Sequence, residues 1–119
     1  MHFYDPVNDN NIKKTIINDL LDVHQICYFN NKIYLTETGR NRIQVYNCEN
    51  NKVEKFINIG SIRKNLNHLN SVCISENELL IGLNNGNKGN LKNSQIVKLT
   101  IDEINNSLDE IDAFQIGKI

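Results

Sequence analysis

Gln25-Ile26-Cys27-Tyr28-Phe29-Asn30-Asn31-Lys32-Ile33-Tyr34-Leu35-Thr36 lies over Ser71-Val72-Cys73-Ile74-Ser75-Glu76-Asn77-Glu78-Leu79-Leu80-Ile81-Gly82 at a constant offset of 46 residues. Cys27 falls on Cys73, Ile26 on Val72, Asn31 on Asn77, Ile33 on Leu79 and Leu35 on Ile81. Each copy reads as a short apolar strand, a polar turn and a second, alternating strand, which is a hairpin signal. Self-similarity at a period of about 40–50 residues is the mark of a repeat architecture.

The repeat extends outward from these hairpins. Arg42–Tyr46 and Val53–Ile57 form a third and fourth strand, joined by Asn47-Cys48-Glu49-Asn50-Asn51, residues that favour turns. In the second copy Gln95–Leu99 is the third strand, and the fourth is predicted over Ile111–Ile116. Phe3-Tyr4-Asp5 lies over Val45-Tyr46-Asn47, and Ile12–Ile16 over Val53–Ile57, so the chain opens at the third strand of a blade. Four short antiparallel strands per period predict an all-β chain of β-propeller blades. The predicted divisions are 1–20 as the end of one blade, 21–60 as a full blade and 66–119 as a second. Two and a half blades make an incomplete ring, because closed propellers have about 4 to 8. Completion would come from blades of a longer chain or from further copies. An open meander or small barrel is the competing architecture.

Composition narrows the classes of function. The 119 residues include 22 Asn and 17 Ile but one Ala and no Trp, a bias expected of an A- and T-rich genome. Net charge is −1, with Lys and Arg dispersed among Asp and Glu. That balance argues against nucleic acid, which calls for a basic stripe. No apolar run approaches the ~20 residues of a membrane span, and Met1–Pro6 has neither basic nor apolar character, so no signal peptide is expected. Three cysteines without paired spacing (Cys27, Cys48, Cys73) point to free thiols in a reducing, cytoplasmic setting. Cys27 and Cys73, between apolar neighbours on first strands, are expected to be buried and inert.

Ile33-Tyr34-Leu35-Thr36-Glu37-Thr38-Gly39-Arg40-Asn41-Arg42-Ile43-Gln44-Val45-Tyr46-Asn47 resembles the NHL repeat, gap-free over 15 positions. Glu37 stands where that family has Asp, and Arg40 where it has Asn. The resemblance implies a six-bladed ring, with Glu37 and Arg42 paired across the turn. Leu69-Asn70-Ser71-Val72-Cys73 looks like the Pro-Asn-Gly start of blades in gluconolactonase-like proteins, with Leu69 for Pro and Ser71 for Gly. There the Asn is a metal ligand, which implies a metal role for Asn70.

Strand alternation sorts the loops by face. The segments entering first strands and those joining second to third strands share a rim. That puts His24, His68 and Asn70 with Glu37, Thr38, Arg40, Arg42, Asn84, Asn85 and Asn87. His24, aligned with Asn70, is the first candidate: an imidazole there can ligate a metal or move a proton, or be structural. Asn70 can offer an amide oxygen to a hard cation. Arg40 shows no evident partner in the sequence. Leu83–Ser94 is the longest insertion on the rim and could form its lip. Neither Gly-x-Ser-x-Gly nor His-Glu-x-x-His occurs.

The leading expectation is therefore an NHL-like binding module, with His24, Asn70, His68, Arg40, Asn84 and Asn85 recognising a protein or a polar small molecule or glycan. The alternative is a metal-dependent hydrolase or lyase of the lactonase-like type, with a divalent metal ion held by His24 and Asn70.

Overall fold

The computed structural model describes residues 2–4, 12–15, 19–59, 68–84 and 94–113. The chain is mostly β. Strands β1 (His2–Tyr4) and β2 (Ile12–Thr15) form an antiparallel pair. Then β3 (Val23–Phe29), β4 (Lys32–Glu37), β5 (Arg42–Asn47) and β6 (Lys52–Asn58) run as an antiparallel meander. The strands β7 (Leu69–Ser75), β8 (Glu78–Leu83) and β9 (Gln95–Thr100) form a second meander.

The two meanders share their backbone irregularities as well as their sequence pattern. Asn30 and Asn31 are left-handed at the β3–β4 turn, as are Glu76 and Asn77 at the β7–β8 turn. Two consecutive positive φ values are the requirement of a type I′ hairpin, whose twist matches that of the strands. Asp22 (φ 56°) and His68 (φ 42°), again 46 apart, kink the chain as it enters each first strand. A register shift follows in both, between Val23 and Ile26 and between Leu69 and Ser71.

Alternation sets the packing. Tyr34, Ile43, Val45 and Ile57 face the second sheet and join one core with Leu69, Val72, Leu79, Ile81, Leu83, Val97 and Leu99. The side chains of Leu35 and Tyr46, on the opposite face, are also fully buried, so the central strands β4 and β5 are covered on both faces. Each such aliphatic side chain contributes about 1.5–3 kcal/mol on burial. The inner edge strands β3 and β7 lie side by side, and Gln25 Oε1 accepts Val72 N–H across the seam at 2.7 Å.

The end of the second repeat differs from the expected fourth strand over 111–116. A helical turn, α1 (Ile101–Asn105), follows β9, started by a capping box between Thr100 and Glu103. It buries Ile101 and Ile104 in the core and turns the chain away from a hairpin on β9. Strand β10 (Glu110–Asp112) then pairs parallel with β6, the outer strand of the first sheet. Residues 114–116 lie outside the described residues. The crossing is secured by Lys55, whose buried ammonium donates to Ile104 O and, at 2.8 Å, to Ser107 O. Ile104 lies in the last turn of α1 and Ser107 just beyond its C-cap Asn106, a helix end where a cation is favoured. Phe56 N–H donates to Asp109 O at 2.8 Å. Cys73, expected to be buried, is exposed, because the register puts it on the outward side of β7 opposite Leu80 while Ile74 turns inward.

Replacing Lys55 with Ala removes both carbonyl contacts and a buried alkyl stem. Urea denaturation should show a loss of about 2 kcal/mol, read as a lower midpoint at unchanged slope. A loss within ~0.5 kcal/mol, the range of ordinary surface changes, would show that the crossing is held by its apolar contacts alone.

Candidate functional site

The rim where β3 and β7 begin is built around one buried carboxylate. Glu37, at the end of β4, is fully buried. Its Oε2 accepts Arg42 Nε–H and Gln44 Nε2–H, each at 2.6 Å. Its Oε1 accepts from Arg40 Nη1 and, at 3.2 Å, from Leu21 N–H. Burial alone would raise its pKa. The hydrogen bonds from Gln44, Arg42 and Arg40 outweigh that and hold the carboxyl below the usual range. The Glu37–Arg42 pairing implied by the NHL resemblance is thus made.

Arg40, expected to lack a partner, has two. Its guanidinium also donates to Asp19, at 3.0 Å to the main-chain oxygen and 3.1 Å to the carboxylate. The 3-10 turn Thr38–Arg40 is further tied to the segment ahead of β3, through Thr38 N–H to Asp22 O (3.0 Å) and Gly39 N–H to Leu21 O (3.1 Å). A Cβ on Gly39 would lie 2.9 Å from Leu21 O, a contact tighter than real Cβ atoms show. Glycine is what allows this approach.

That platform positions Asp22, Val23 and His24. His24 Nδ1 lies 2.9 Å from Asn70 Oδ1, and its Nε2 3.2 Å from Asp22 Oδ1. The His68 ring meets the His24 ring edge-on, with centroids 5.6 Å apart. So the two residues aligned by the repeat, together with His68, converge on one spot. The second repeat is joined to the rim by Thr38 Oγ1, which donates to Leu69 O. Asn84 enters through its N–H, which donates to His68 O at 3.1 Å. Asn85 and Asn87, and the lip expected of Leu83–Ser94, fall largely outside the described residues. Asp22 is the partner that sequence reasoning missed; its signal was the Asp-x-His spacing immediately before β3.

Beside the cluster an open cleft of about 430 Å³ is lined by Asn70, Ser71, Gly82, Asn84, Gln95 and Ile96 among others. With no charge among these, it offers amide and hydroxyl donors and acceptors. His24, one-third exposed, bonds through both nitrogens: Nδ1–H donates to Asn70 as oriented here, and the reversed amide would donate to an unprotonated Nδ1. The 2.9 Å between Nδ1 and Oδ1 also suits two adjacent ligands of one cation, given ligand distances of about 2.0–2.5 Å. Among the described residues, however, no group of three or more His, Cys, Asp or Glu could hold a metal. Two donors fall short of the three that a catalytic metal takes, so a catalytic metal held by His24 and Asn70 would need a further ligand from outside the described residues.

No family model, curated protein or solved structure matches the chain. Among the described residues no helix is long and apolar enough to cross a membrane.

Glu37→Gln should cost about 2–3 kcal/mol, less than the 3–5 of a fully enclosed ion pair because both guanidinium groups reach solvent. A carboxylate with a lowered folded pKa stabilises fully above its ordinary value near 4.5, and that contribution is lost as pH falls through the folded value. The stability gap between wild type and variant, followed by denaturation from pH 7 to pH 3, should therefore be constant above pH ~4.5 and narrow below it. A gap independent of pH would show that the carboxylate charge is not what holds the turn.

Proposed function

We propose that this chain is a section of an NHL-like β-propeller acting as a binding module, and that it recognises a polar small molecule, glycan or protein on the rim around His24, Asn70 and His68. The observation that carries the binding reading is the convergence of these three side chains, from two repeats, beside a cleft that Asn70 and Asn84 also line. Amides and imidazoles on a rigid sheet end supply directional hydrogen bonds without reactive groups, which suits recognition.

Three features support the propeller reading. The repeats share left-handed positions and register shifts at the same offset. Their inner edge strands run side by side. The central strands β4 and β5 of the first sheet are buried on both faces, as those of a stacked blade are. The parallel β10 departs from the simple blade pattern and acts as a strap between the two sheets.

The lactonase-like alternative draws on the His24–Asn70 spacing alone. Saturation-transfer NMR with a panel of neutral mono- and disaccharides and blocked dipeptides tests the leading reading. Probes that bind the wild type should lose at least about four-fifths of their signal with His24→Ala/Asn70→Ala, as expected when a probe loses both direct contacts. Signals retained in full would remove the rim from function. Calorimetry with Zn²⁺ should show no binding tighter than millimolar. A micromolar site abolished by His24→Ala would favour the metal reading instead.

A further inference from the structure

The second sheet has an uncovered face whose counterpart on the first sheet the chain itself covers. On the first sheet Cys27, Tyr34 and Ile43 share one face, by the pairings Cys27 with Tyr34 and Thr36 with Ile43. The second sheet packs on that face, mainly through β7 against β3 and β4. The same registers put Cys73, Leu80 and Ile96 at the equivalent positions of the second sheet. There Cys73 is exposed, Leu80 is half-buried and Ile96 is 60% exposed.

The covering element also has a counterpart. Within the chain Val72 and Ile74 of β7 supply the side that packs on the first sheet; Val72 is 2% exposed. Their equivalents on β3 are Ile26 and Tyr28, paired with Leu35 and Ile33. These are bare, 57% and 64% exposed, although the neighbouring Leu35 and Ile33 are buried. One molecule thus carries, uncovered, both halves of the contact that holds its own two sheets together.

We propose that a second copy of this chain stacks head-to-tail on the first, β3 of one copy covering the β7–β9 face of the next. The occupant is a copy because its β3 has the strand geometry and apolar positions of the element already seen in this contact. The backbone can follow too: the seam contact from Val72 N–H to Gln25 Oε1 has Ile26 and Ser71 as its equivalents, and Ser71 lines the open cleft on that face. Two substitutions weaken the new contact relative to the internal one. Lys98 stands where Val45 does, and Ser75 where Phe29 does. Association is therefore reversible and concentration-dependent. A heterologous contact of this kind closes a ring where the rotation permits and otherwise extends. The inference rests on the stacking of the two sheets and bears on the rim reading, because the neighbouring copy covers Ser71 and Ile96, which line the cleft beside the rim.

Sedimentation velocity of the full chain over a concentration series tests it, using Ile96→Arg to block the β7–β9 face and Tyr28→Arg to block β3. Wild type should self-associate, and each variant alone should be shifted toward monomer. Mixed in equal amounts, the two variants should form a 1:1 heterodimer and nothing larger, because one intact face of each remains. Circular dichroism of each variant, unchanged from wild type, excludes unfolding as the cause. Wild type monomeric at every concentration would overturn the proposal, as would association that both variants retain or a mixture that yields no heterodimer. The rim is separately tested by His24→Ala/Asn70→Ala, so failure here and failure of the binding reading are read in different experiments.

Discussion

The buried carboxylate of Glu37 is the constraint on which the rim depends. A charge with no exposed surface is tolerated only when its oxygens are fully partnered, and here four partners come from three places. Leu21 precedes β3, Arg40 sits in the 3-10 turn, and Arg42 and Gln44 lie on β5. Satisfying the carboxylate therefore fixes the approach to β3, the β4–β5 turn and the start of β5 together. The turn in turn holds Asp22 through Thr38 N–H and reaches the second sheet through Thr38 Oγ1 to Leu69 O. His24 and Asn70 meet because both of their strand starts are tied to this turn. An Arg42 guanidinium 4.1 Å from the centre of the Phe56 ring extends the same network to β6.

The two repeats differ where the chain enters the first strand. The register shift at the start of each first strand leaves backbone groups that the ladder does not pair. In the first repeat Thr36 Oγ1 fills the gap, accepting Gln25 N–H at 2.8 Å and His24 N–H at 3.3 Å and donating to Gln25 O at 3.2 Å. The equivalent of Thr36 is Gly82, and a Cβ there would collide with Ser71 Oγ. Ser71 places a hydroxyl on the opposing strand where the first repeat carries that of Thr36 on β4. Ser71, which breaks the Pro-Asn-Gly resemblance, is thus half of a size exchange with Gly82. The exchange leaves the outward side of the second sheet shallower at that point, and this is where the open cleft lies.

Much of the strand plan was legible because it rests on local rules. Period-2 alternation and the offset of 46 residues placed β3 to β9 within a residue or two, and put His24, Asn70 and His68 on one rim. The Glu37–Arg42 pair was legible from the repeat motif. Arg40 was not, because its second partner, Asp19, lies 21 residues away in a segment without pattern. The displaced fourth strand was missed for a different reason. Glu110–Asp112 has an acceptable strand pattern, but whether it adds antiparallel to β9 or parallel to β6 depends on the helical turn between them. The Thr100-x-x-Glu103 box was the readable signal for that turn. The destination was set by Lys55, 49 residues from the carbonyl it caps at Ile104. Cys73 was misjudged because burial was inferred from sequence neighbours, whereas burial of a sheet face depends on what stacks upon it.

That last point links architecture to function in this chain. A sheet repeat has two faces and one rim at each end, and these serve different purposes. Faces are apolar, interchangeable between repeats, and satisfied by any correctly shaped neighbour, which explains why Val72 and Ile26 occupy equivalent places with opposite exposure. Rims carry the side chains that differ between repeats: His24 against Asn70, Asp22 against His68. Stacking brings the unlike residues of consecutive repeats into contact, so a cluster such as Asp22–His24–Asn70–His68 arises at a seam and not within one sheet. Specific chemistry in such a molecule is a property of the junction between repeats. It forms only where two sheets are stacked in register, and the Gln25–Val72 and Thr38–Leu69 hydrogen bonds hold that register at the one seam described here.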